Sequence, residues 1–187
     1  MIPRHERDEW LMAQVAKGDR DHLEPLIRRH ANPLLTFIRR MVGDRHQSEE
    51  LFQEVFLAVW KHRGQYEYPR PFKPWLYAIA ANKCHAQFRT RTIAAAAPLD
   101  DDDAAASSPD PSPVETAIAT ETAALVSAAV TRLPAQQRTV VVLRIWQGMP
   151  YAEIAEVVGR AESTVRANMH HGLAAIRKYL EPRLGQT

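Results

Sequence analysis

The sequence predicts an all-α protein of two small helical domains joined by a flexible acidic linker. Apolar residues recur three and four positions apart over most of the chain, and no segment shows the alternation of a half-buried strand. Residues 94–113 consist largely of alanine, aspartate, serine and proline and cannot bury enough apolar surface to fold. We therefore expect one domain at residues 1–93, a linker at 94–113 and a second domain at 114–187.

Composition restricts the class of protein. The 187 residues include one cysteine, Cys84, which excludes an internal disulfide and fits a reducing compartment. No apolar run approaches the roughly 20 residues that span a bilayer, and the charged residues 1–10 do not resemble a signal peptide. The sequence therefore predicts a cytoplasmic protein without membrane insertion.

The net charge of +2 conceals an uneven distribution. The two predicted domains carry +5 and +2, and the segment between them carries −5. Basic blocks suit contact with the phosphates of nucleic acid, although ordinary solvated surface charge accounts for this modest excess nearly as well.

Four helices are predicted in the first domain, at about residues 6–16, 21–42 and 46–62 and from Pro74 onward. Pro33 is expected to kink or break the second. The third has a wide apolar stripe, and its opposite face is acidic with one exposed aliphatic side chain, Leu57. This face is either solvated surface or a docking site for a basic partner.

The loop before the fourth helix, Gly64–Pro74, is called the aromatic loop here because tyrosine and phenylalanine alternate in it with Arg70 and Lys73. Aromatic rings beside cations suit the binding of unstacked bases of a single strand. Loop aromatics also commonly anchor a loop to the core, and the sequence leaves both interpretations open.

Helices are also predicted at about residues 114–131 and 134–146, followed by a helix-turn-helix at Tyr151–Tyr179. Gly159 is expected to end its first helix, and Ser163 to cap its second. Val165 and Met169 should face inward. The outward side chains form what we call the reading face, which consists of Ser163, Thr164, Arg166, Ala167, His170 and His171. An ordinary helical hairpin remains the alternative to DNA reading.

No enzyme site is predicted. The seven glycines are scattered, so no phosphate-binding loop exists, and the eight histidines lack metal-ligand spacing. Adjacent pairs such as His170 and His171 point to different sides of a helix and chelate poorly. The sequence therefore predicts no catalytic residue, metal or cofactor.

Two blocks together resemble a known family. SEELFQEVFLAVW followed by PFKPWLYAIAANKC resembles the second conserved region of bacterial RNA polymerase sigma factors. LPAQQRTVVVLRIWQGMPYAEIAEVVGRAESTVRANMHHGLAAIRKYL resembles their fourth conserved region. The small size and the order of the blocks resemble the extracytoplasmic-function group of the sigma-70 family.

The resemblance implies partners and residues. It implies docking on the β′ clamp helices of core RNA polymerase by Glu50, Leu51, Gln53 and Glu54. It implies capture of the melted start-proximal promoter element by Tyr66, Arg70, Lys73, Trp75, Asn82 and Lys83. It assigns the double-stranded upstream element to the reading face, and it implies the β flap and an anti-sigma factor as further partners.

The hypothesis from the sequence is therefore an alternative sigma factor that is not itself an enzyme. A free-standing helix-turn-helix regulator that binds DNA as a dimer is the alternative.

Overall fold

A computed structural model of the chain describes residues 7–96 and 115–184, which contain eight α-helices, one 3₁₀ turn and no β-strand. The all-α prediction is confirmed for these ranges. The helices are α1 (Asp8–Ala16), α2 (Leu23–Val42), α3 (Arg45–Lys61), α4 (Phe72–Ala96), α5 (Glu115–Thr131), α6 (Ala135–Ile145), α7 (Tyr151–Val158) and α8 (Glu162–Leu184), and the 3₁₀ turn is Arg63–Gln65. Most of the predicted linker, from residue 97 onward, lies outside the described residues. Within them, no helix is long and apolar enough to cross a bilayer.

Local capping explains several helix ends. The Asp44 carboxylate accepts a hydrogen bond of 2.7 Å from the backbone N–H of Gln47 and so caps the start of α3. Gly159 ends α7 with a φ of +62°, the left-handed conformation that glycine adopts without a Cβ clash. The predicted end of this helix is therefore confirmed.

Two predicted helix boundaries are wrong, and the break that Pro33 could have caused is absent. Helix α2 continues through Pro33, because buried side chains on both sides of it keep the helix packed on the core. Pro74 is the third residue of α4, not the first. The N–H groups of a helix's first turn have no intrahelical acceptor, so a proline without an N–H fits at any of these positions. The helix therefore begins earlier, at the buried Phe72. Ser163 lies in the first turn of α8 rather than capping it, because Glu162 already begins the helix.

The first domain packs α1 to α4 around fully buried aromatic and aliphatic side chains. The rings of Phe37 and Tyr77 meet edge to face with centroids 5.2 Å apart. The Asp8 carboxylate ties α1 to α2 through His30 Nε2 at 2.7 Å and Arg29 Nη1 at 2.9 Å. Burial acts to raise the pKa of Asp8, but these two partners outweigh it and leave the pKa below its ordinary value.

The second domain packs against the first. Helix α7 lies on α4, and α6 lies against α2, so that the buried cores of the two domains are continuous. The guanidinium of Arg138, at the start of α6, donates a hydrogen bond of 2.5 Å to the carbonyl of Met41 in α2. The His85 imidazole of α4 lies 2.9 Å from the hydroxyl of Thr139. The domain contact therefore combines apolar packing with one buried and one partly buried hydrogen bond.

Helix α8 crosses α6 closely at Gly172. This glycine is buried, and a Cβ built on it would lie 2.7 Å from Cγ2 of Val141. The β-branched valine has little rotamer freedom in a helix, so it cannot easily move aside. The glycine therefore permits α8 to pack closely against α6.

We expect Gly172→Ala to destabilise the protein by roughly 1–2 kcal/mol, because the steric cost of overpacking exceeds the gain of about 1 kcal/mol in helix propensity. Urea denaturation measures the difference. Gly64→Ala is the matched control, since nothing lies within 4 Å of its added Cβ. Equal stability of the two variants, or no recovery on adding Val141→Ala to Gly172→Ala, would contradict the close-crossing account.

Candidate nucleic-acid and polymerase interfaces

All six side chains of the reading face are exposed on α8, and Val165 and Met169 are buried beneath them. The predicted orientation of the helix is therefore confirmed. The tight turn after Gly159 places the first residues of α8 at an outer edge of the second domain. This exposed N-terminal half is the geometry with which a recognition helix enters a DNA major groove.

Arg166 is held in place at the centre of this face. Its guanidinium contacts the Glu162 carboxylate, with Nε at 3.1 Å and Nη2 at 2.5 Å. It also lies over the ring of Tyr151, 4.4 Å from the ring centroid, and Arg144 lies 4.8 Å from the same centroid. The first residue of α7 and the first of α8 thus orient the arginine, a contribution of Tyr151 that the sequence analysis missed.

The paired histidines face solvent. The rings of His170 and His171 meet edge to face with centroids 5.7 Å apart, and both side chains are exposed. Residues 7–96 and 115–184 hold no group of three or more His, Cys, Asp or Glu side chains arranged to bind a metal.

The aromatic loop is anchored by the ring of Tyr66, which packs against Trp75 in the first turn of α4. Tyr66 and Trp75 are only 6% and 7% exposed, and their ring centroids lie 5.4 Å apart in an edge contact. The Tyr66 hydroxyl donates a hydrogen bond to the backbone carbonyl of Arg70. Burial raises the pKa of Tyr66, so the hydroxyl stays protonated as a donor. Of the two interpretations, the structure places these two rings in the anchoring role.

The polar residues predicted to contact the melted element divide into two groups. Arg70 and Asn82 are exposed. Lys83 is bound by the Glu54 carboxylate at 2.7 Å, and the Lys73 ammonium donates to the backbone carbonyl of Gln147 at 3.1 Å. Two of the four thus already have protein partners, one of them in the second domain.

The predicted docking face on α3 is exposed except at one position. Glu50, Gln53 and Glu54 face solvent beside Leu57, which is 68% exposed. Leu51 is 5% exposed and belongs to the core. We call Glu50, Gln53, Glu54 and Leu57 the acidic surface. Leu57 is thus a large aliphatic side chain exposed beside two carboxylates.

The chain matches two protein families and several relatives. The Sigma-70 region 2 family matches residues 26–93, and the Sigma-70, region 4 family matches residues 123–176. The RNA polymerase sigma-H factor of Pseudomonas aeruginosa is 30% identical over 186 residues, which cover 96% of each chain. The ECF RNA polymerase sigma factor SigM of Mycobacterium tuberculosis is 32% identical over 179 residues, covering 95% of this chain and 87% of the relative. A third relative, the ECF RNA polymerase sigma factor SigE of Mycolicibacterium smegmatis, is 30% identical over 164 residues. This match covers 88% of this chain but only 63% of the longer relative.

Two solved structures share the fold. CnrH in complex with the cytosolic domain of CnrY matches with a TM-score of 0.71 and 23% identity, over 94% of this chain and 97% of that one. The sigma factor RpoE of Bartonella quintana, in complex with the anti-sigma factor NepR, matches with a TM-score of 0.67 and 18% identity, over 84% and 96%.

Fold and surfaces together define a two-domain helical protein of the DNA-binding class. The matched families and relatives identify it further. The chain belongs to the extracytoplasmic-function group of the sigma-70 family of RNA polymerase sigma factors.

We expect Tyr66→Phe to destabilise the protein by about 1 kcal/mol, because the Arg70 carbonyl loses its donor. The loop should also become more sensitive to a glutamate-specific protease after the exposed Glu67. Tyr68→Phe, at a 47% exposed tyrosine of the same loop, is the control and should change neither urea stability nor cleavage. Indistinguishable behaviour of the two variants would show that the buried hydroxyl does not anchor the loop.

Proposed function

We propose that the chain is an alternative sigma factor that is not itself an enzyme. It binds core RNA polymerase through the acidic surface and directs it to promoters through two DNA-binding surfaces, one in each domain. The observation that carries the proposal is the reading face, whose six side chains are exposed on a helix-turn-helix, in a chain whose family is that of sigma factors. Because core polymerase is cytoplasmic, the proposal places the chain in the cytoplasm.

The reading face recognises the upstream promoter element in double-stranded form. Arg166 is the best candidate for a base contact, because a guanidinium can donate two parallel hydrogen bonds to O6 and N7 of guanine. Its contacts with Tyr151 and Glu162 restrict the side chain before DNA binds, which lowers the entropy lost on binding. Glu162 also partly neutralises the arginine, so this contact contributes specificity more than general attraction to phosphate.

The start-proximal element is bound as a melted strand beside the aromatic loop. Arg70 and Asn82 supply exposed polar groups, and Lys73 and Lys83 supply cations once their present partners release them. The buried ring of Tyr66 supports the loop from beneath. This surface favours opening of the duplex by binding bases that have become unpaired. The polymerase itself carries out RNA synthesis.

The acidic surface docks on the β′ clamp helices, and the second domain contacts the β flap. Leu57 provides an apolar contact area, and the surrounding carboxylates favour a basic partner. An anti-sigma factor that covered this same surface would exclude the polymerase and keep the chain inactive.

A free-standing dimeric regulator is the competing function, because the reading face alone could bind an operator. DNA binding measured with and without purified core polymerase separates the two. A sigma factor binds DNA weakly alone and gains promoter specificity with core enzyme. Tight, sequence-specific binding by the isolated chain as a dimer would exclude our proposal.

We expect Glu54→Arg to weaken binding to core polymerase at least tenfold, because a like-charge contact at an interface costs about 1.4 kcal/mol or more. Gln53→Ala should weaken it less. Fluorescence anisotropy with labelled chain and no DNA gives the affinity. Glu24→Arg is the matched control, since Glu24 is also exposed and paired with one cation, Arg28. Unchanged affinity for core polymerase in both α3 variants would remove the docking assignment.

We expect Arg166→Ala to cost roughly 1–3 kcal/mol of promoter binding at one position of the upstream element and little elsewhere. Competition binding of polymerase–sigma complexes to single-base promoter variants measures this. Tyr151→Leu should reduce the same preference, whereas Tyr151→Phe keeps the ring and the preference. Arg177→Ala, at an exposed residue further along α8, is the control and should affect all sequences alike. A uniform loss in Arg166→Ala would reduce Arg166 to a phosphate contact.

A further inference from the structure

A tryptophan near the end of α3 contacts two arginines from different segments of the first domain. The Arg63 guanidinium lies 4.2 Å from the ring centroid of Trp60, and the Arg20 guanidinium lies 5.3 Å from the same centroid. Both distances are within the range of a cation–π interaction. Arg63 Nη1 also donates a hydrogen bond of 2.8 Å to the backbone carbonyl of Trp60. We call Arg20, Trp60 and Arg63 the arginine–tryptophan cluster.

The fold brings these arginines together from separate parts of the chain. Arg20 lies in the connection between α1 and α2, and Arg63 begins the 3₁₀ turn that follows α3. That turn packs against α1. Because both guanidinium groups are held on one ring before any ligand is present, they lose less conformational entropy when they bind one.

The charges of the two arginines are not neutralised by a carboxylate. Other exposed arginines of the first domain have such a partner, as Arg28 does in Glu24 at 2.5 Å. Within residues 7–96 and 115–184, Arg20 and Arg63 form no ion pair and contact Trp60 instead. Their positive charge is therefore available to an anion from outside the chain.

The surroundings of the cluster are basic. Lys17 and Lys61, which are close to it in sequence, are both exposed. The Asp19 carboxylate is engaged within its own loop, where it lies 2.9 Å from His22 Nδ1 and accepts a hydrogen bond of 3.1 Å from the backbone N–H of Asp21. Four lysines and arginines thus stand against two aspartates, a balance that favours phosphate.

The cluster adjoins the proposed start-proximal surface. Lys83 of that surface is bound by Glu54 of α3 at 2.7 Å. Trp60 follows Glu54 on the same helix, about 9 Å further along its axis. Arg63 directly precedes the aromatic loop, Gly64–Pro74. A strand that passes Lys83 and the aromatic loop can therefore continue onto the cluster.

We propose that the arginine–tryptophan cluster binds phosphates of the melted strand on the start-site side of the start-proximal element. This inference rests on the proposed sigma function. A guanidinium binds phosphate oxygens through parallel hydrogen bonds, and its charge attracts the strand whatever its sequence. DNA upstream of the start-proximal element is bound as duplex, so the unpaired strand lies on the other side. Trp60 is a positioning residue, because its ring contacts the arginines.

The test uses the complex of the chain with core polymerase and two forked promoter DNAs. Both carry the promoter elements that the wild-type complex selects from a randomised library. In one, the single-stranded overhang ends after the start-proximal element; in the other, it continues for several nucleotides toward the start site. Competition binding over a range of salt concentrations gives the affinity and its salt dependence for each DNA.

The double variant Arg20→Ala with Arg63→Ala should bind the long overhang about tenfold more weakly than wild type. The slope of log affinity against log salt should fall by about 1.4, since each phosphate contact on a single strand contributes about 0.7. Arg20→Ala alone, at an exposed side chain, should lower the slope by about 0.7. The short overhang should be bound as by wild type in both variants.

Trp60→Leu should weaken binding of the long overhang alone, whereas Trp60→Phe keeps a ring for the guanidinium groups and most of the affinity. Arg28→Ala is the matched control, because it removes an exposed arginine of the same domain whose charge is already paired with Glu24. It should match wild type on both DNAs.

Three results would overturn the inference: wild-type binding of the long overhang by the double variant, an equal loss on both DNAs in Arg20→Ala, or a loss without a change in the salt slope. An equal loss would place Arg20 on duplex DNA, and an unchanged slope would exclude a phosphate contact. Each leaves the sigma function intact if the wild-type complex binds the short overhang. Failure of the wild-type complex to bind either DNA would instead overturn the proposed function itself.

Discussion

Within the described residues, the buried guanidinium of Arg138 ties the second domain to the first. It donates to the carbonyl of Met41 in the first domain and to the carbonyls of Thr131 and Leu133 in the second, and it lies 4.8 Å from the ring centroid of Phe88. The carbonyls of Met41 and Thr131 lie in the last turns of α2 and α5, where carbonyls have no intrahelical donor, and that of Leu133 lies in the turn after α5. One charged group thus satisfies helix ends from both domains, and burying it without them would be costly.

This arrangement explains why the two proposed DNA-binding surfaces differ in accessibility. Contacts of α6 and α7 with α2 and α4 turn the inner side of the helix-turn-helix toward the first domain. Helix α8 consequently presents its reading face outward, with Arg166 already oriented. The same contacts occupy Lys73 on α4. In this arrangement the proposed duplex-reading surface is exposed, whereas Lys73 of the proposed start-proximal surface already has a protein partner.

Sequence reasoning succeeded where a local pattern carries the information. The orientation of α8 follows from apolar residues at helical spacing, and the end of α7 at Gly159 follows from the backbone conformation that glycine allows. The sequence did not decide whether Tyr66 anchors its loop or binds a base, because the burial of a loop tyrosine depends on distant parts of the fold. No local sequence pattern indicated the contacts that Gly172 and Gln147 make. Their partners lie on other helices, and Gln147 is 114 residues from Pro33.

The central claim is that two separate surfaces of this chain select promoters for core RNA polymerase. In vitro transcription with purified core polymerase over a library randomised in both promoter elements tests it most directly. The account predicts transcripts only with both proteins present, and enrichment of two sequence elements at one preferred separation. Transcripts without a preferred sequence, or enrichment of a single element, would contradict it.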